Sequence, residues 1–164
     1  MLDIITFGEE VLRYKAEKID SFGKELQLLT DAMAEAMQEG DGVGLAAPQV
    51  GASKQLFLTN VSGDQLRVFI NPQIIESSEE QAAFEEGCLS IPGVYAEINR
   101  PRSITVQAFD LSGKPFTLQA DGLLSRVIQH ELDHLKGILF IDRLDEQQRE
   151  KVLQVYHKRN KKRK

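Results

Sequence analysis

The chain has 164 residues, 41% of them apolar, which is enough for one core and fits a single domain over residues 1–164. No apolar run nears the roughly 20 residues needed to cross a bilayer, and the first residues lack the basic-then-apolar order of a secretory signal, so a cytoplasmic protein with no membrane partner is expected. Net charge is −5, yet six of the 20 Lys and Arg fall within His157–Lys164, which makes an acidic body with a basic tail.

The first twenty residues show one short helical turn, around Glu9 to Lys15. Apolar positions Phe22, Leu26, Leu29, Met33 and Met37 then recur at three-four spacing. They predict a helix from about Ser21 to Gln38, ended by Gly40. Asp41 to Gln49 breaks all periodicity; its glycines and alanines allow close backbone approach, and Pro48 excludes a regular helix. From Gln55 to Gln119 the texture is β. Leu56–Leu58 and Val68–Ile70 are short apolar runs, and Asn71-Pro72, Pro92-Gly93 and Ser112-Gly113-Lys114 read as turns. Ile104, Val106 and Ala108 alternate with polar residues, and Phe116 and Leu118 repeat the pattern to give a hairpin.

A second helix is predicted from Asp121, as N-cap, to Lys136, with Gly137 as its stop. It is apolar on more than one face, so it is expected to be buried, with its two histidines pointing into the protein. A last helix begins near Asp145, where Asp145-Glu146-Gln147-Gln148 resembles a capping box, and runs into the basic tail at 145–164. The fold class is α+β: mostly antiparallel strands packed around a central helix.

That central helix carries His130-Glu131-Leu132-Asp133-His134. Residues four apart share a helical face, so His130 and His134 offer two imidazoles to one metal ion. Glu131 stands beside any water that the ion binds, placed to act as its base. The site needs a third ligand. Gly137 matches the glycine of the H-E-x-x-H-x-x-G-x-x-H peptidases, but Phe140 fills the final position and cannot ligate. His157 lies in the tail, and Glu146 and Glu150 suit a solvated helix face. Cys88, the only cysteine, follows a glycine in Glu86-Gly87-Cys88-Leu89-Ser90 and is the better candidate. Thiolate plus two imidazoles leaves a tetrahedral position open for water, as in a catalytic site.

Gly42-Val43-Gly44-Leu45-Ala46-Ala47-Pro48-Gln49, Glu86-Gly87-Cys88-Leu89-Ser90 and Gln129-His130-Glu131-Leu132-Asp133-His134 resemble the three signature motifs of the peptide deformylases, in the right order. The likeness covers most of residues 20 to 144. It implies Cys88, His130 and His134 as ligands of one divalent metal, natively Fe(II), with Zn(II) or Ni(II) able to substitute. It also implies Glu131 as general base and then acid, with the Gln49 amide and the Leu89 backbone N–H stabilising the oxyanion. The implied reaction removes the formyl group from the N-formyl-methionine of newly made polypeptides, with water activated by the metal attacking the formyl carbon and formate released. Val43, Gly44, Phe84, Leu123 and Val127 are candidates to line the methionine pocket, although Leu123 and Val127 suit ordinary core as well. Asp133 and Glu86 are candidates to orient the ligands. Tyr95 stands where some relatives carry a basic residue, and no role is carried onto it. The basic tail reads either as a contact for the ribosome or as a solvated end. Other readings remain open: a zinc endopeptidase, a metal-stabilised binding module without turnover, and a hydrolase of another small acyl-amine.

Overall fold

The amphipathic spacing of Leu26, Met33, Ala36 and Met37 produces helix α1, Lys24–Glu39, in a computed structural model that describes residues 2–161. It starts three residues later than its apolar pattern suggests. Gly23 occupies the N-terminal boundary, and Phe22 packs ahead of the helix against Phe109, ring centroids 6.3 Å apart. Seven strands follow the helix. They are β1 (Gly44–Ala46), β2 (Leu56–Thr59), β3 (Arg67–Ser77), β4 (Gln81–Cys88), β5 (Ile91–Pro101), β6 (Ser103–Phe109) and β7 (Pro115–Asp121). The remaining helices are α2 (Gly122–Leu135) and α3 (Glu146–Lys161). All strand pairs are antiparallel: one sheet runs β1-β2-β3-β6-β7, and β4 and β5 form a separate hairpin. The architecture is α+β, as expected.

Side-chain alternation decides what each face of the larger sheet covers. Leu45, Leu56, Leu58 and Ile70 pack against α1. Ala46, Phe57, Phe69, Ile104, Val106 and Ala108 turn the other way and bury Ile128, Leu132 and Leu135 of α2. The β4–β5 hairpin builds a further core from Ile91, Val94 and Ile98 with Leu12, Leu139, Phe140, Ile141 and Tyr156. Helix α2 is therefore enclosed between the sheet and the hairpin. Every residue from Ser125 to Leu135 is buried, including both histidines.

Several local expectations hold. Asp121 caps α2, accepting from the Gly122 N–H at 2.7 Å. Asp145 caps α3 through the Gln148 N–H at 2.8 Å. The Ser112-Gly113-Lys114 turn joins β6 to β7, with Asp110 Oδ1 accepting from the Ser112 and Lys114 N–H groups. Gly137 ends α2 with φ +75°, and a Cβ there would meet the Arg13 carbonyl oxygen at 2.4 Å.

Other expectations are corrected. Asn71-Pro72 is not a turn but a bulge inside β3, with Asn71 at φ +50° and a register shift between Ile70 and Gln73. The Asn71 amide accepts from the Ile19 N–H at 2.8 Å and donates to its carbonyl at 2.7 Å, which fastens the N-terminal segment to the sheet. Pro92-Gly93 lies within β5; the chain reverses earlier, at Leu89-Ser90, so that Cys88 pairs with Ile91. The segment after β1 is not irregular throughout, since Ala47–Val50 makes a 3-10 turn that begins with Pro48 near its start, where its missing N–H costs nothing. The helical turn expected at Glu9 to Lys15 is the 3-10 turn Glu10–Arg13. Of the basic tail, residues 162–164 lie outside the described residues.

Candidate active site

Three elements meet at one point. Helix α2 supplies His130, Glu131 and His134; the end of β4 supplies Cys88; and the 3-10 turn Ala47–Val50 supplies Gln49. One donor atom each from Cys88, His130 and His134 lies within 4.8 Å of the others, with Cys88 Sγ 3.3 Å from His134 Nε2. No other such group occurs among the described residues. His130 Nδ1 is 2.9 Å from Glu86 Oε1, which leaves its Nε2 to face the cluster. The donor set, one sulfur and two imidazole nitrogens at this spacing, fits a first-row divalent cation.

The alternative third ligands are not there. Phe140 is buried and its ring stacks on His130, centroids 6.1 Å apart. His157 packs against Phe7 and Tyr156, and Glu146 and Glu150 are exposed on α3.

Gln49 is buried, and its orientation follows from its neighbours. The Ala46 N–H needs an acceptor and finds Gln49 Oε1 at 2.9 Å. The amide nitrogen then turns to the site, 3.1 Å from Ser90 Oγ and 3.5 Å from Cys88 Sγ. Leu89 follows Cys88 in the turn, and its side chain fills space left by two glycines. A Cβ on Gly40 or Gly42 would come within 3.1 or 2.7 Å of it.

Glu131 Oε1 is buried with no hydrogen-bond partner, and burial pushes the carboxyl up to about 7 against the pull of His130. His134 Nδ1 is likewise buried and unpaired; burial, together with the charge of His130, holds its pKa well below the ordinary value. Glu86 behaves in the opposite way. Burial would raise its carboxyl, but hydrogen bonds from His130 and Arg100 bring it down to about 2.

Glu86 is the centre of a buried charge network. It accepts from Arg100 at 2.6 and 3.0 Å and from Arg126 at 2.6 Å, and Arg100 also reaches Asp133 at 3.0 Å. Asp133 in turn receives two bonds from Arg143. Glu86 and Asp133 were candidates in the sequence, whereas the three arginines were not. Arg126 did carry a signal, as a charged residue one turn before His130 on a helix apolar all round.

A cavity of about 550 Å³ opens onto this cluster, and all five candidate pocket residues line it. Val127 is buried, but Val43, Phe84 and Leu123 are 43%, 55% and 43% exposed, so Leu123 belongs to the rim and not to the core. Gly44 serves the protein itself. A Cβ there would lie 2.6 Å from Glu131 Oε2 and 2.8 Å from Val127 Cγ1. Tyr95 lies on Gly87, where a Cβ would meet its ring at 2.6 Å.

A partly buried thiol beside two buried imidazoles, a buried carboxyl group and an amide donor around one cavity fit the class of metal-assisted hydrolases. Comparison with known proteins narrows the class. Residues 1–150 match the family model described as polypeptide deformylase. The peptide deformylase of Treponema pallidum is 46% identical over 155 residues, covering 94% of this chain and 95% of that one. Among solved structures, the peptide deformylase of Legionella pneumophila superposes with a TM-score of 0.94 at 38% identity, covering 99% and 97% of the two chains. That of Synechococcus elongatus, in complex with actinonin, gives 0.91 at 41% identity, covering 95% and 86%. The chain belongs to the peptide deformylase family and is an enzyme of that kind.

Proposed function

We propose that the protein removes the formyl group from the N-terminal N-formyl-methionine of newly synthesised polypeptides, releasing formate and a free amine. Residues 1–164 are read as one catalytic domain. The observation that carries the mechanism is Glu131 Oε1, a buried carboxylate oxygen with no partner, on a residue that lines the cavity beside three candidate metal ligands.

In this reading Cys88, His130 and His134 hold one divalent ion, Fe(II) in the cell, replaceable by Zn(II) or Ni(II). Such an ion supplies Lewis acidity and makes water a nucleophile near neutral pH. Glu131, lifted to about 7, takes the proton from the attacking water and later gives it to the leaving amine. The Gln49 amide N–H and the backbone N–H of Leu89 donate to the formyl oxygen as it gains negative charge. Val43, Gly44, Phe84, Leu123 and Val127 receive the methionine side chain. A formyl carbon bears only hydrogen, so a crowded site admits it and rejects bulkier acyl groups.

The basic end of α3, with Lys158, Arg159 and Lys161 in its last turn, is read as a contact for ribosomal RNA. No helix among the described residues is long and apolar enough to cross a membrane, and we place the enzyme in the cytoplasm. Deletion of residues 157–164 tests the ribosome contact: unchanged co-sedimentation with ribosomes at low salt rules it out.

The direct test is formate release from a short N-formyl-methionyl peptide by anaerobically purified protein reloaded with Fe(II) or Ni(II). Turnover by the wild type, lost in Glu131→Ala with metal still bound, is the expected result. A fully metallated wild type without turnover refutes the reading.

A further inference from the structure

We infer that Arg126 is a positioning residue, which locks the β4–β5 hairpin onto α2 and so holds Cys88 in register with His130 and His134. The inference rests on reading those three residues as metal ligands. The two histidines belong to α2, whereas Cys88 belongs to the hairpin, so the donor set exists only while the two elements stay docked.

Arg126 stands one turn before His130 on the same helical face, with its side chain 8% exposed. Its guanidinium makes three bonds to the hairpin, and they reach both strands. Nη1 donates to Glu86 Oε2 at 2.6 Å and to the Ile98 carbonyl at 2.9 Å; Nη2 donates to the Ala82 carbonyl at 2.7 Å. The guanidinium carbon lies over the Phe84 ring, 5.7 Å from its centroid, and both side chains line the cavity.

Arg100 also ties the hairpin to α2, through one bond to Asp133 at 3.0 Å, but it comes from β5, and its two bonds to Glu86 stay within the hairpin. Arg126 shares a helix with His130 and shares Glu86 with it, since Glu86 Oε1 faces His130 Nδ1 while Oε2 accepts from Arg126. The carboxylate is thereby held at both oxygens by the helix that carries the histidines. Only a planar fork reaches Glu86 and both strand carbonyls together; a lysine ammonium at this position is a shorter, single-point donor.

The test uses Arg126→Met and Arg126→Lys in the full chain, each loaded with Co(II) after removal of other metal. Three quantities are read: the Co(II) dissociation constant by chelator competition, the thiolate-to-cobalt and ligand-field absorption, and the thermal midpoint of metal-free protein. The expected result is roughly 10- to 100-fold weaker Co(II) binding with an altered spectrum in both variants, the size typical of losing a group that orients a ligand. Wild-type affinity and spectrum in either folded variant overturns the inference, even if that variant melts earlier, because Arg126 then only stabilises. Should Arg126→Met not fold, Arg126→Lys decides alone. A wild type that shows no thiolate-to-cobalt band fails the ligand reading itself and takes this inference with it.

Discussion

Gly44 and Glu131 are fitted to each other: a single methyl group on the glycine would sit 2.6 Å from the carboxylate. A place in the methionine pocket was the expectation for this glycine, but the Glu131 carboxyl group needs the room first. Gly44→Ala therefore displaces Glu131, and a misplacement of about 1 Å at a reacting group costs on the order of 100-fold in rate. Formate release should fall by that amount while bound metal, measured by elemental analysis, stays at one per chain. Loss of metal along with activity would place the damage elsewhere.

Glu86 carries its charge in a buried site because three side chains bond to it: His130, Arg100 and Arg126. Glu86→Gln keeps the shape but removes the charge that orients the imidazole. Metal affinity should drop roughly 10- to 100-fold. Competition against a chromogenic chelator measures it, and unchanged affinity would show that His130 needs no such partner.

Asp142 makes stability depend on pH. Burial pushes its carboxyl up, but Arg13 and the Leu139 N–H, at 2.9 Å, draw it down further, so its folded value lies below the ordinary one. A lowered carboxylate stabilises the fold above its unfolded pKa of about 3.9, and that contribution fades as pH falls through the folded value. Asp142→Asn should cost about 1 kcal/mol near neutral pH, with the gap to wild type closing in acid. Urea unfolding of both proteins at several pH values gives the two curves, and a gap that widens in acid contradicts the assignment.

Phe140 fills the position where a third histidine would sit in an H-E-x-x-H-x-x-G-x-x-H peptidase, and it stacks on His130 within the hairpin core. Phe140→Ala removes a fully buried ring and should cost about 3–5 kcal/mol. Denaturant midpoints check the magnitude, and a cost below about 1 kcal/mol would mean that the site collapses around the gap.

The helix that carries the histidines was legible because its cues are local: Asp121 as cap, Gly137 as stop and a spacing of four between the two imidazoles. The hairpin β6–β7 was legible for the same reason. Asn71-Pro72 was misread because a bulge and a turn use the same residues; what separates them is the pairing of Asn71 with Ile19, far away in sequence. Pro92-Gly93 failed likewise, since the true reversal at Leu89-Ser90 lacks both Gly and Pro. In the site, the candidate ligands and Glu131 were legible by type and spacing. Arg100 did not, because a strand arginine gives no local sign that two buried carboxylates await it. Leu123 was open to two readings, as its apolar character is the same on a cavity rim as in a core.

The division of the donor set between a helix and a hairpin also bears on how an ion would leave. Release need not wait for global unfolding, because a partial opening that lifts the hairpin withdraws the sulfur and leaves both nitrogens in place. The lifetime of a loaded centre would then report the undocking rate of the hairpin, and a bound ion would slow amide hydrogen exchange along β4 and β5 more than within the five-stranded sheet. The centre would act as a latch on the most detachable part of the fold.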